Sequence, residues 1–403
     1  MQKLVKIFQQ TFWQLLGKLV TTTSTFIILG LVARNYGPEG TGIFTLALTY
    51  LAIFYLLSDF GFNAHILRVG KQDLEWRKLL GTRLLWATCL VVVSILILPF
   101  LPFANSTFSQ AIFYGSWAIM ASATFVTCNL LFQKYLRFDL ANLALSLGTM
   151  VALATISWFV KSHQPIPVLV FGHFVGWTIV ALAALFLVKK FVIDLRPIFN
   201  KDYIISLFNS SWPIAATLAL NTVYFRVDAF ILSSVRTVSE VGIYNVAYQV
   251  FQSLLVLPTF AMNSFYPMML QTLKFKMEKF KNQIKLAAAL LTILSLGISI
   301  FTFYLSPVVI QLITGSGFAG SVTSLQILIL GLPAYFLSAL FMWVMVAKKM
   351  YKEMLFVYAL GLVFNVLANY IFIPQYSYLA AAWITGASEY LILIMQAIIL
   401  LRR

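Results

Sequence analysis

Apolar stretches of about twenty residues, the length a helix needs to cross a hydrocarbon core, alternate with short polar connections along this chain. They run over residues 12–34, 41–62, 81–101, 110–132, 140–160, 166–188, 206–232, 241–264, 286–306, 322–346, 354–373 and 379–400. The pattern predicts an all-α polytopic membrane protein with about 12 transmembrane helices. They divide into two six-helix lobes, residues 1–200 and 201–403, each with an even number of spans, so that the halves point the same way as a parallel repeat. Twelve spans would take up roughly 240 residues, and little chain remains for a domain outside the bilayer.

Polar residues inside these stretches set candidate faces. Gln14, Lys18, Thr21 and Thr25 recur at helical spacing in the first span, and Ser210, Thr217, Asn221, Tyr224 and Asp228 do so in the seventh, with Arg226 turned away. Thr45 and Thr49 in the second span and Asn245, Gln249 and Gln252 in the eighth extend the set. Isolated Ser, Thr or Asn residues in a bundle also serve as interhelical glue. Charges at depth are harder to explain as glue, because an ionised side chain at a bilayer centre costs about 2.5–3.5 kcal/mol on insertion scales. Lys18, Arg226 and Asp228 are therefore read as lining a hydrated cavity, together with Thr25, Thr49, Asn221, Asn245 and Gln249. Glu389, central in the last span with Thr385 one turn before it, is a candidate proton or cation site. Asp59 lies near a helix end and reads either as an interfacial cap or as a functional carboxylate, so the candidates for ion coupling are Asp59, Asp228 and Glu389. Arg34, Arg68, Arg83 and Lys161 are placed at the interfaces.

Composition agrees with the pattern. Of 403 residues 61% are hydrophobic and 10% charged, with mean hydropathy +0.91, outside the soluble range. The net charge of +16 does not indicate nucleic acid, because the basic residues are spread over alternate connections. One side holds Lys3 and Lys6, the group Arg68–Arg83, Lys134 and Arg137, Lys189–Lys201, Lys274–Lys285, Lys348–Lys352 and Arg402–Arg403; the other holds Arg34, Lys161 and Arg236. The positive-inside rule then puts both termini in the cytoplasm. The first apolar run, interrupted by Lys18 and lacking a small-residue cleavage site, reads as an uncleaved span. The basic, amphipathic connections Arg68–Arg83 and Leu273–Lys285 are expected to be helices lying on the anionic inner leaflet, with a docking site for a headgroup or partner enzyme as the alternative. Cys89, Cys128, His65, His163 and His173 lack ligand or disulfide spacing, and no metal or bound cofactor is expected. Asn35–Thr41 contains glycines but no Gly-Lys-Ser/Thr, which removes an ATPase reading.

The halves also echo each other in sequence. Gly42-Ile43-Phe44-Thr45-Leu46-Ala47 aligns with Gly242-Ile243-Tyr244-Asn245-Val246-Ala247. The stretches Ala33-Arg34-Asn35-Tyr36-Gly37-Pro38-Glu39-Gly40-Thr41-Gly42, Asp59-Phe60-Gly61-Phe62, Arg226-Val227-Asp228 and Val241 to Ala247 resemble the polysaccharide-transport branch of the multidrug/oligosaccharidyl-lipid/polysaccharide (MOP) exporter superfamily, which includes the Wzx-type O-antigen flippases. That resemblance implies two lobes in a V around an alternating-access cavity in a bacterial cytoplasmic (inner) membrane. Its implied substrate is an undecaprenyl-pyrophosphate-linked oligosaccharide, carried to the outer leaflet for O-antigen or other surface polysaccharide, with Lys18 and Arg226 matching the basic cavity residues that attract the anion. A proton or sodium gradient is a possible driving force, and a polysaccharide polymerase and glycosyltransferases are possible partners.

Other readings stay open at this point. Drug and toxin exporters are related, although a cationic cavity suits an anionic glycolipid better. Peptidoglycan-precursor flippases resemble the chain but have two further spans. A membrane glycan polymerase or ligase resembles its own class in having a sizeable charged outer loop, whereas here Phe103–Ser109, Gly315–Ser321 and Gln375–Tyr378 are too short to house a catalytic domain. The chain is accordingly expected not to be an enzyme.

Overall fold

All twelve apolar stretches are helical in the computed structural model, which describes residues 2–69, 74–192, 194–275 and 277–402. Among the described residues eight helical stretches are long and apolar enough to cross a membrane. Two of these are double. Helix α1 (Gln2–Asp59) leaves helical geometry at Gly37 and α14 (Tyr351–Leu401) at Ser377, so each holds two arms of one span apiece. Between them lie α2 (Phe62–Val69), α3 (Leu74–Leu96), α4 (Ser106–Gly115), α5 (Ala118–Lys134), α6 (Phe138–Lys161), α7 (Ile166–Val188), α8 (Lys201–Val235), α9 (Val238–Leu254), α10 (Val256–Phe275), α11 (Met277–Thr314), α12 (Ala319–Leu330) and α13 (Leu332–Ala347). The chain forms two compact units, residues 1–223 and 224–403, with the division inside α8.

Unit 1 is built around a charge that the sequence reading put at an interface. Arg83 is fully buried. Its Nη1 donates to Asn63 Oδ1 and Thr127 Oγ1, both at 3.1 Å, and its Nη2 donates to Asp59 Oδ1 at 2.9 Å and the Asp59 carbonyl at 3.2 Å. The Phe62 ring lies 5.5 Å from the guanidinium carbon. Hydropathy misplaced Arg83 because it scores a cation by its own solvation and cannot see four acceptors arriving from α1, α2 and α5. These bonds hold the turn between α1 and α2, where Phe60 and Gly61 both take positive φ. At Gly61 a Cβ would also lie 2.5 Å from Ile214 on α8. Phe60, Phe62 and Trp86 close on Phe208 with ring centroids 4.8–5.1 Å from it, which seats the start of α8 in unit 1.

The two basic connections are not separate surface helices. From Leu74 the first is already α3, and Trp76, Leu79 and Leu80 are buried in the unit 1 core; Arg68 has its side chain outside the described residues. The second runs from Met277 without a break into α11, with Phe280 buried beneath its lysines. Helix formation here propagates from the spans, since extending an existing helix avoids a second nucleation.

Each unit ties its hairpins together in the same way. In unit 1 Tyr36 donates to the Gln164 carbonyl. In unit 2 Arg236, the equivalent position when Gly42 is aligned on Gly242, donates to the Ile373 and Pro374 carbonyls. The internal repeat is thus a repeat of contacts as well as of letters.

Candidate functional site

Two buried carboxylates organise the interior of unit 2. Tyr224 and Asp228 lie one turn apart on α8, and Thr385 and Glu389 lie one turn apart on the second arm of α14, so each pair shares a helix face. The faces meet as two rungs. Tyr224 Oη donates to Glu389 Oε2 at 2.9 Å, and Thr385 Oγ1 donates to Asp228 Oδ2 at 3.3 Å. Helix α9 adds Tyr244, whose hydroxyl donates to Asp228 Oδ2, and α13 adds Ser338, whose hydroxyl donates to Glu389 Oε1. The Ala229 amide donates to Asp228 Oδ1 at 2.7 Å. Both acids are 4% exposed. Beside them Asn365 donates to Ser388 across the two arms of α14 and accepts from Asn369 on its own arm, each at 3.0 Å.

No ion pair to Asp228 or Glu389 occurs among the described residues. Neutral hydroxyls surround both acids, with Tyr224, Tyr335 and Tyr358 close enough to Glu389, and Tyr244 and Tyr248 close enough to Asp228, to interact with its charge. Buried acids held by hydroxyls, with one backbone amide at Asp228 and the Arg226 cation near it but not paired with it, are suited to holding and releasing a small cation or proton, because each retains lone pairs.

The other sequence candidates are placed differently. Arg226 is half-buried; its Nη2 donates to Gln252 Oε1 at 3.0 Å and its guanidinium lies 5.3 Å from the Tyr248 ring centre. Asn245 is buried and Gln249 half-buried on α9. In unit 1 Lys18 and Thr25 are exposed, with the Thr25 hydroxyl donating to the Thr21 carbonyl of its own helix, and Thr49 is buried. Asp59 is engaged by Arg83. The side chains of Asn221 and Thr217 lie outside the described residues. Tyr244 and Ser338 went unrecognised as site residues, although an aromatic hydroxyl just after the repeated Gly-Ile pair was a usable signal for the first.

A third acid, Glu240, works at the end of unit 2 where α8 turns into α9. It closes a capping box with Thr237 and accepts from Ser377 Oγ at 2.6 Å, which holds Ser377 at φ +53° in the kink of α14. Burial pushes the carboxyl up, but bonds from Ser377 and Thr237 and the neighbouring Arg236 cation outweigh it and leave the group below the usual glutamate value. A depressed folded value contributes stability above the unfolded range that is lost as pH falls through the folded one. Glu240→Gln is therefore expected to lower Tm at about pH 6 and to lose that deficit at about pH 3; a deficit that stays constant across a Tm-against-pH series would remove Glu240 from this role.

The fold is that of solved membrane transporters of the MOP superfamily. The structure is similar to that of the lipid II flippase MurJ in an inward closed conformation, with TM-score 0.79 and 14% identity over 98% of this chain and 87% of that one. It is also similar to an inward-facing MATE-family multidrug resistance transporter, with TM-score 0.75 and 12% identity over 95% of each chain, and to a MOP superfamily transporter from Pyrococcus furiosus, with TM-score 0.64 and 14% identity over 98% and 94%. A comparison with curated proteins finds no match. The chain belongs to the polysaccharide biosynthesis protein family, whose model matches residues 7–273, and the MatE model matches residues 213–371.

Proposed function

We propose that the protein is a flippase that moves an undecaprenyl-pyrophosphate-linked oligosaccharide across a bacterial cytoplasmic membrane by alternating access, for O-antigen or another surface polysaccharide, with both termini in the cytoplasm. The observation that carries this reading is the family match over residues 7–273. A polar headgroup cannot cross hydrocarbon unaided, so the protein supplies a hydrated path and switches its access. Arg226 and Lys18 attract the pyrophosphate, and Asp228 and Glu389 take up the proton or sodium ion that drives the cycle; Asp59, held by Arg83, has no part in it. A polymerase and glycosyltransferases act on the same substrate before and after transport. The MatE match supports a second reading, export of cationic drugs.

Reconstituted protein and a lipid-linked oligosaccharide with a fluorescent headgroup distinguish these readings. Headgroup transfer between leaflets without bond formation supports the flippase. Product formation without movement overturns it in favour of a glycan polymerase or ligase, and drug efflux with a stationary glycolipid overturns it in favour of a multidrug exporter.

A further inference from the structure

Two connections and the start of α3 meet at one end of unit 1. The Tyr135 ring, just after α5, stacks on Phe191, just after α7, with centroids 4.7 Å apart and planes 13° from parallel. The segment leading from α7 to α8 is strapped to α3. Arg77 Nη1 pairs with Asp194 Oδ2 at 2.9 Å, Arg77 Nε donates to the Arg196 carbonyl at 2.8 Å, and the Ile198 amide donates to the Arg77 carbonyl at 3.0 Å. The strap runs so close that a Cβ at Gly81 would lie 2.3 Å from the Ile198 carbonyl oxygen.

Two cations here are used internally, Arg77 by Asp194 and Arg137 by Asp139. Lys189, Lys190 and Arg196 are exposed and make no ion pair among the described residues. Beside them Tyr135 is 39% and Phe199 58% exposed. Lys189 and Lys190 follow the apolar α7 directly, where a spanning helix gives way to the phosphates, and Phe199 is in the irregular chain that leads on to α8. Cations set beside exposed rings at that depth match the chemistry of the headgroup layer, where the ring lies at glycerol level and the charge on phosphate. An acidic protein segment would satisfy the cations and leave Phe199 in water.

We propose that this end of unit 1 is a seat for anionic phospholipid headgroups, with Lys189, Lys190 and Arg196 on the phosphates and Tyr135 and Phe199 inserted beside them. The strap fixes the backbone that carries Arg196 before the lipid arrives, which reduces the ordering cost of binding there. The seat does not depend on what the protein transports.

The test is native mass spectrometry of the full chain in detergent, titrated with phosphatidylglycerol or phosphatidylcholine. The wild type is expected to retain phosphatidylglycerol preferentially, and Lys189→Gln/Lys190→Gln/Arg196→Gln to bind it roughly a hundredfold more weakly, whereas Lys348→Gln/Lys349→Gln/Lys352→Gln in unit 2 binds as the wild type does. Equal losses in the two triple variants overturn the proposal, as does unchanged binding in the first. Inorganic phosphate competing at the same concentration overturns it as well, because the site would then be a free-anion site. Should the first variant fail to fold, wild-type phosphatidylglycerol binding in about 1 M NaCl decides: loss supports the seat, since screening shortens to about 3 Å, and persistence overturns it.

Discussion

Arg83→Ala is expected to lower the thermal midpoint by on the order of 10 °C, the largest stability effect of any single change considered. Removing one partner of a buried ion pair costs about 3–5 kcal/mol, a sizeable part of a total stability of about 5–15 kcal/mol, and roughly 1 kcal/mol shifts Tm by 2–4 °C in a unit of this size. The loss has several sources that act together: Asp59 keeps its charge without a counter-charge, Asn63 and Thr127 lose a donor, and the Phe60–Gly61 turn loses the bonds that hold its positive φ angles. Arg83→Lys is expected to recover little, because an ammonium cannot reach acceptors on three helices with the spread of a guanidinium. Size-exclusion chromatography of heated, detergent-solubilised protein measures the effect. A midpoint within about 2 °C of wild type would show that the network adds nothing.

Asp228→Asn is expected to reduce headgroup transfer at least about tenfold, roughly 1.4 kcal/mol in the barrier, while Tm moves by only a few degrees. Asparagine keeps an oxygen to accept from Tyr244 and Thr385 but can neither carry charge nor bind a proton, so the substitution separates ion handling from packing. Glu389→Gln does the same on the other rung, where one of the two hydroxyls, Tyr224 or Ser338, keeps the remaining oxygen as acceptor and the other turns to accept from the new amide. If the two acids act as one unit, the double variant is no slower than the worse single one, since groups that serve one step are not additive. Normal transport in both single variants would remove the carboxylates from the mechanism, and equal losses of Tm and transport would reassign them to structure.

The charge at position 226 and the acids at 228 and 389 were visible as anomalies in apolar runs, and the structure buries both acids. Their partners were less visible. Tyr224 stood on the predicted polar stripe of the seventh span, yet nothing in the order of residues pointed it at Glu389, 165 positions away. Ser338 sits in a segment rich in apolar residues and has no local signal at all. Arg83 was misplaced for the converse reason, because its acceptors come from α1, α2 and α5 and only the packed bundle supplies them.

Taken alone, the order of residues determined that this chain is helical, spans a bilayer repeatedly, repeats itself about its middle and conceals acids within it, because hydropathy and charge are properties of consecutive residues. The tertiary structure alone decided that Asp228 and Glu389 form adjacent rungs between α8 and α14, that Arg83 is a buried keystone, and that the connection after α7 is strapped against Gly81. Those outcomes depend on how each helix is rotated and slid along its neighbours, which is set by the shape and hydrogen-bonding needs of side chains far apart in sequence.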